Sequence, residues 1–277
     1  MTPEELALVG IHPLMGIEAY HHVAPGTSKS QLDQVHRSIA HFLEAKANPI
    51  EPTAAMVMGS AIHQAILEPN DFHSKFAILS EGDGRSAALK AEKARAEAAG
   101  LLCLTYDQGQ DIEGIKAAFA SHPTAPSIVE EGRPETSIFW EDQDTGLLLK
   151  ARPDWLRDDG DVMDLKTTTD ARWRSFEKTI YDFRYHVQAA MIEDGLKANG
   201  RSFENFLIVA TEKTAPYCLA VYRLTQDAID LGRKAYKSDL AKLADYLKNS
   251  GWSGYPYEVI PIGLPAWAAK YEEAIHE

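Results

Sequence analysis

Cysteine is scarce in this chain, which has only Cys103 and Cys218 among its 277 residues. Two thiols so far apart predict no disulfide framework, no zinc site of Cys and His ligands and no four-cysteine iron–sulfur cluster. Long apolar runs are also missing, and the N-terminus has no basic region leading into an apolar stretch. We therefore expect a cytoplasmic location, reduced thiols and no membrane partner.

Basic residues are in deficit as well. The chain carries 28 Lys and Arg against 41 Asp and Glu, a formal net charge of −13. This balance argues against a protein that coats nucleic acid by bulk charge, but it leaves room for a local basic channel or a carboxylate metal site. With 45% hydrophobic residues and no internal repeat, residues 1–277 are expected to form a single domain with a full core.

The order of predicted elements indicates an α/β domain with a mixed central β-sheet flanked by helices. Residues 1–27 show little periodicity and are expected to form an extended arm, so the core runs from about residue 28 to 265. Helices are predicted near residues 30–43, 54–67, 85–99, 108–120, 171–178, 184–198 and 226–248, with a tail helix after Pro265. Strands are predicted at 137–140, 147–151, 161–165, 206–211 and 217–224.

The segment that indicates chemistry is residues 151–170. Asp154 follows one predicted strand, whereas Asp164 and Lys166 alternate with Leu165 on the next and share one face. A turn at Asp159 and Gly160 would bring Asp154 beside Asp164. Two adjacent carboxylates repel unless a cation such as Mg²⁺ or Mn²⁺ joins them, and a neighbouring lysine can stabilise charge on a phosphate. The pattern favours metal-assisted phosphodiester hydrolysis, with a solvated surface hairpin as the alternative.

Two further polar residues lie on predicted helices. His63 has the small residues Gly59 and Ser60 one turn before it, which would allow another group to approach closely. Gln188 follows Tyr185 on the helix after the strand pair. Helical periodicity alone is more typical of a core histidine and an exposed glutamine than of site residues.

Ordered segments carry a resemblance to a known family. They are Glu18–His21 with Ser28–Asp33, Met58–His63 with Leu67–Pro69 and Phe72, Arg152–Asp154 with Asp164–Thr168, and Tyr185–Gln188. In this order they resemble the exonuclease VIII (RecE) family of phage and prophage recombination nucleases. That family belongs to the PD-(D/E)xK superfamily, which has a restriction-endonuclease-like core and includes phage lambda exonuclease and the RecB nuclease domain.

The resemblance implies a role for individual residues. His63, Asp154 and Asp164 would bind Mg²⁺, for which Mn²⁺ could substitute, with the Leu165 carbonyl as a further ligand. Lys166 would be the catalytic lysine. Two more residues are candidates for the catalytic site: Gln188, although many relatives carry Tyr where this chain has Ile192, and Glu135, which opens the preceding strand. The predicted DNA contacts are Lys150, Arg152, Arg37, Ser30, Arg172, Arg174 and Tyr185.

The resemblance also implies an activity and partners. The expected protein is a Mg²⁺-dependent exodeoxyribonuclease that degrades double-stranded DNA ends from 5′ to 3′. It would expose a 3′ single strand for an annealing protein of the RecT kind, and would act as a ring-shaped homo-oligomer, a trimer or tetramer. The alternatives are an endonuclease or DNA-repair nuclease on the same fold, and a DNA-binding module without activity. Basic side chains are expected to gather near Asp164, and the remaining acidic excess on outer faces.

Overall fold

The structure is a computed structural model that describes residues 1–265. These residues form helices α1 (Pro3–Leu6), α2 (Lys29–Arg37), α3 (Ile39–Ala47), α4 (Ala54–Leu67), α5 (Phe72–Lys75), α6 (Ala87–Ala98), α7 (Tyr106–Ser121), α8 (Ala125–Ile128), α9 (Trp173–Asp182), α10 (Tyr185–Ala198) and α11 (Gln226–Asn249). The strands are β1 (Gly10–His12), β2 (Phe76–Ile78), β3 (Leu102–Leu104), β4 (Arg133–Pro134), β5 (Ser137–Glu141), β6 (Leu148–Ala151), β7 (Trp155–Leu156), β8 (Val162–Thr168), β9 (Phe206–Glu212) and β10 (Leu219–Arg223). The tail helix predicted after Pro265 lies outside the described residues. Within the described part, no helix combines the length and apolar character that a membrane span needs.

The central sheet is mixed, as the sequence predicts. Its strand order is β10-β9-β8-β7-β4, with β8 and β9 parallel and the other neighbours antiparallel. The strands predicted near 137–140 and 147–151, β5 and β6, do not join it. They pair with each other, and β5 also pairs with β1, in a separate three-stranded sheet. Pro153 lies where the chain leaves β6 for β7. A proline has no N–H for a strand ladder, which explains the break between the two sheets.

Helices cover both faces of the central sheet. Val162 on β8 and Ile208 on β9 face one buried cluster, which also contains residues of α2, α3, α10 and α11. Met163 and Leu165 face the opposite cluster, with residues of α4 and α7. Because side chains alternate along a strand, Asp164 and Lys166 lie on the α10 side of β8.

Capping residues explain where several helices begin and end. Thr53 accepts a hydrogen bond from the Met56 N–H at 3.3 Å, so α4 begins at Ala54 as predicted. The helix predicted over 30–43 is in fact two helices. Ser38 is extended, with φ −176° and ψ 162°, and its hydroxyl accepts from the His41 N–H at 3.3 Å. One serine therefore ends α2 and begins α3.

The N-terminal segment is more ordered than the predicted extended arm. Its β1 pairs antiparallel with β5, from Gly10 opposite Phe139 to His12 opposite Ser137. The Lys150 ammonium donates to the carbonyl oxygens of Tyr20 at 2.7 Å and Ala24 at 2.8 Å. The segment is therefore attached to the β5–β6 pair along its length.

Gly232 determines how closely α11 approaches α10. A Cβ atom there would lie 2.1 Å from the His186 carbonyl oxygen, which is backbone and cannot rotate away. We expect Gly232→Ala to lower the free energy of unfolding by about 2 kcal/mol, measured by denaturant titration. Gly59→Ala in α4 is the matched control, because nothing lies within 4 Å of its Cβ position. Equal stability of the two variants would contradict the close contact.

Candidate active site

The β7–β8 hairpin brings two predicted site residues together. Trp155 pairs with Met163, so Asp154, one residue before β7, lies beside β8 at Asp164 and Leu165. The Leu165 N–H donates to Asp154 Oδ2 at 2.7 Å, and Asp154 is buried. β7 pairs with only the first residues of β8, which leaves this amide free of a ladder partner. The short length of β7 therefore positions the Asp154 carboxylate.

His63, Glu135 and Asp154 form a group with ligand atoms that all lie within 4.8 Å of one another. His63 reaches the group from α4, and its Nδ1 lies 3.3 Å from Asp154 Oδ2. One imidazole nitrogen and two carboxylates are donors suited to Mn²⁺, and the carboxylates also suit Mg²⁺. These three residues therefore fit a divalent cation.

Glu135 is fixed in the group by its backbone and by Arg152. Its φ is +51°, a conformation that is uncommon for a residue with a side chain and that often marks functional sites. Its N–H donates to the Asp154 carbonyl at 3.0 Å, and its Oε2 accepts from Arg152 Nε at 2.7 Å. In the sequence, a glutamate at the end of a strand could equally be a solvated side chain. The turn between β4 and β5 shows instead that Glu135 lies beside His63 and Asp154.

Asp164 lies outside this group of three, although the sequence predicted it to be a metal ligand. Gln188 Nε2 donates to Asp164 Oδ1 at 2.7 Å, and the Lys166 ammonium forms an ion pair with Oδ2. Asp164 is fully buried, so both of its oxygens need such partners. In this arrangement Asp164 holds Lys166 and Gln188 next to Asp154. Ile192, one turn after Gln188 on α10, is buried in the core.

Charge interactions in the site oppose the effect of burial. Burial alone would lower the pKa of His63, but the Asp154 carboxylate outweighs it and raises that pKa above 6.5. Burial would raise the pKa of Asp154, but His63 and Lys166 lower it below the usual value. For Asp164, burial prevails over the Lys166 charge and raises the pKa to about 6. Burial would lower the pKa of Lys166, but Asp164 and Asp154 raise it, so the ammonium stays charged at neutral pH.

This electrostatic arrangement predicts how metal affinity depends on pH. His63 can bind a metal only after losing its proton, and its raised pKa keeps that proton up to a pH above 6.5. The affinity for Mn²⁺ should therefore rise with pH, about tenfold per unit below the pKa of His63. Calorimetric titrations at several pH values measure this slope. In His63→Gln the slope should be smaller, and a pH-independent affinity in the parent protein would contradict His63 as a ligand.

The Leu165 carbonyl points toward Asp154. In a strand the N–H and C=O of one residue point to the same side, and the Leu165 N–H is bonded to the Asp154 carboxylate. This direction is compatible with the predicted role of Leu165 as a further ligand, and that role stays a prediction.

Two residues predicted to contact DNA are mostly buried instead. Lys150 is 6% exposed and is bound by two carbonyls of the N-terminal segment. The Arg152 guanidinium donates to Glu135, to Ser137 Oγ and to the Met15 carbonyl. Strand alternation correctly places them on one face, but the N-terminal segment covers that face. No local sequence pattern indicates this cover, because the segments in contact are far apart in the chain.

The other predicted contacts lie at or near the surface. The Lys166 ammonium lies 4.8 Å from the centre of the Tyr185 ring. Ser30 is in the first turn of α2, Arg37 ends α2, and Arg172 pairs with Asp170 at 2.7 Å just before α9. Arg174 is exposed on α9. Their contact with DNA stays a prediction.

Sequence reasoning missed Lys29 and Phe183, which lie beside this cluster. Lys29 Nζ donates to the Phe183 carbonyl at 2.6 Å. Burial lowers the pKa of Lys29, and the nearby Lys166 and Arg184 charges add to this despite the Asp33 carboxylate. Lys29 is thus a basic side chain near Lys166, and the wider gathering of basic side chains near Asp164 stays a prediction. No sequence motif links Lys29 to Phe183, so only the fold could reveal the pair.

The chain is similar to a known protein family and to solved structures. Residues 28–258 match the family model described as a PDDEXK-like domain of unknown function, DUF3799. The crystal structure of a Eubacterium rectale protein provisionally named an exonuclease has a similar fold, with a TM-score of 0.63 and 12% identity over 92% of this chain and 98% of that one. The alkaline exonuclease LHK-Exo from Laribacter hongkongensis is 14% identical over 81% of this chain and 92% of its own. Its TM-score of 0.31 indicates only a weak structural similarity.

No curated protein sequence matches the chain. The family match covers most of the chain, and it agrees with the α/β architecture and with the Pro153-Asp154 and Asp164-Leu165-Lys166 pattern. The predicted fold class and the predicted PD-(D/E)xK resemblance are confirmed. The chain belongs to the PDDEXK-like DUF3799 family and has a nuclease-like fold.

Proposed function

We propose that this protein is a Mg²⁺-dependent exodeoxyribonuclease that hydrolyses phosphodiester bonds at double-stranded DNA ends. One observation carries the proposal: the candidate ligands His63, Glu135 and Asp154 lie close to a half-buried Lys166, whose pKa the Asp164 and Asp154 carboxylates raise, so that it stays protonated. In a surface hairpin with solvated Asp and Lys, Asp154 and Asp164 would not be buried, and His63 and Glu135 would not meet Asp154. The alternative of a DNA-binding module without activity is less well supported, because no catalytic residue type is missing.

The chain's own residues have separate tasks in this reaction. His63, Glu135 and Asp154 would hold the cation, which supplies a Lewis acid and lowers the pKa of water at the site. Lys166 stabilises negative charge on the phosphate as the bond breaks. Asp164 and Gln188 position Lys166 by direct contact, and Arg152 positions Glu135. Because these contacts are already formed, Lys166 and Glu135 need little rearrangement when substrate binds.

The finer parts of the proposal come from the family resemblance. The proposed direction is 5′ to 3′, which leaves a 3′ single strand for recombination by an annealing protein of the RecT kind. The proposed active form is a ring-shaped homo-oligomer. Light scattering coupled to size exclusion tests the oligomer: a trimer or tetramer supports it, and a monomer at assay concentration contradicts it.

One assay tests the reaction itself. Linear duplex labelled separately at each 5′ and 3′ end is incubated with and without Mg²⁺, beside a covalently closed circle of the same sequence. We expect early loss of the 5′ label, an intact circle and no reaction in chelator. Cutting of the circle would establish an endonuclease instead. No cleavage of any substrate, by a protein that binds Mn²⁺, would contradict a nuclease function.

A further inference from the structure

The exposed ring of Phe183 lies close to the candidate active site, with only the Tyr185 ring between it and Lys166. Phe183 directly follows α9 and is 61% exposed. Its ring stacks on Tyr185, with ring centres 5.9 Å apart and planes 20° from parallel. The other end of this stack is the Lys166 ammonium, 4.8 Å from the Tyr185 ring centre. Lys166, Tyr185 and Phe183 thus form a continuous row from the buried site to the surface.

The position of Phe183 is set by polar contacts on both sides. Its carbonyl accepts from Lys29 Nζ, which is itself paired with Asp33 at 2.7 Å. The next residue, Arg184, has φ +56°, and its guanidinium is bound by Asp33 at 3.0 Å and Asp239 at 2.6 Å. These contacts hold the connector between α9 and α10 in one conformation. The backbone that carries the ring is therefore held in place, and the ring stacks on Tyr185 while most of its area stays in water.

A fixed, water-exposed aromatic ring loses the hydrophobic gain of burial, so a ligand that covers it would be favoured. The neighbouring ligand in the proposed reaction is a nucleotide whose phosphate lies at Lys166. Every base has a flat aromatic face that stacks on such rings with little regard to sequence. Two basic side chains lie beside the stacked rings, Lys166 at Tyr185 and Lys29 at the Phe183 carbonyl, and they favour a polyanionic strand over an apolar peptide.

We propose that Phe183, supported by Tyr185, is a stacking platform for an unpaired base next to the scissile phosphate. The substrate class is then a strand end whose bases are separated from their complement at the site. Phe183 is a positioning residue, because it binds a base and not the reacting phosphate. This inference rests on the proposed nuclease function.

A double-mutant cycle tests the stack. Short single-stranded oligonucleotides carry one abasic site, moved stepwise from each end, and binding is measured by fluorescence anisotropy in Ca²⁺ to prevent cleavage. We expect Phe183→Leu to weaken binding of the intact oligonucleotide about tenfold. An abasic site at one particular position should weaken binding to the parent protein by the same factor as Phe183→Leu does. The same abasic oligonucleotide should bind Phe183→Leu no more weakly than the intact oligonucleotide does. Phe183→Trp should bind within about twofold of the parent.

Trp173→Leu is the matched control. Trp173 is an equally exposed aromatic, 63% exposed, at the first residue of α9 and about 15 Å along the helix from Phe183. It should leave binding and the abasic profile unchanged. Additive weakening of binding by Phe183→Leu and the abasic site would contradict the stacking platform. So would a Trp173→Leu variant that binds as weakly as Phe183→Leu. In either case the proposed nuclease function stands if the parent protein still cleaves duplex ends. If the parent binds no oligonucleotide and cleaves no duplex, the proposed function fails together with the platform.

Discussion

Asp154→Asn should bind Mn²⁺ at least about a hundredfold more weakly and cleave DNA at least about a thousandfold more slowly than the parent. Asp154 belongs to the group of three ligands, and its carboxylate also neutralises His63. The amide oxygen of asparagine can still accept from the Leu165 N–H, so the hairpin should stay folded. Calorimetry of Mn²⁺ binding and release of labelled nucleotides measure the two effects.

The control for this substitution lies on the same hairpin. Asp158→Asn removes one carboxylate from the exposed turn between β7 and β8, with the same change of net charge. It should bind Mn²⁺ and cleave DNA as the parent does. Asp154→Asn with Mn²⁺ affinity within twofold of the parent would show that the cation is held elsewhere.

Lys166→Met should separate catalysis from metal binding. Methionine fills nearly the same volume but removes the ammonium, so turnover should fall about a thousandfold. The Mn²⁺ affinity should change by less than about tenfold, because Lys166 is not among the ligand atoms. Single-turnover cleavage and Mn²⁺ calorimetry on the same preparation give both values.

Removing one partner of a buried ion pair can also unfold a protein. Lys166→Met is therefore compared with the double variant Lys166→Met, Asp164→Asn, in which no unpaired buried carboxylate remains. The double variant should recover thermal stability but not turnover. Lys178→Met, an exposed lysine on α9, should leave both unchanged. Cleavage by either Lys166 variant at the parent rate would exclude Lys166 as the catalytic lysine.

Local patterns were sufficient for much of the fold. The α4 boundaries were predicted correctly from helical periodicity and the proline that follows, and the hairpin at Gly160 from its turn residues and strand alternation. These features depend on residues a few positions apart, where backbone hydrogen bonding and side-chain period act directly. The single helix predicted over 30–43 was wrong because Ser38 can cap helices on both sides of itself.

Residues that meet across long stretches of chain were harder to place. Lys150 and Arg152 were predicted to contact DNA, but they donate to carbonyl oxygens near the N-terminus. Phe183 has no motif, and its relation to Lys166 depends on the α9–α10 connector. A sequence pattern reports the face on which a residue lies, but it does not report what covers that face.

The sequence by itself determined the α/β class and the residue types of the candidate site, because strand alternation and a tight turn oblige Asp154 to meet the Asp164 strand. Only the tertiary structure decided which of those residues contact one another. It placed Glu135 beside His63 and Asp154 through a left-handed turn. A fully buried carboxylate is stable only with charged or hydrogen-bonding partners, and Asp164 has Lys166 from its own strand β8. The packing of α10 on the sheet brings the second partner, Gln188, because that helix is distant from β8 in the sequence.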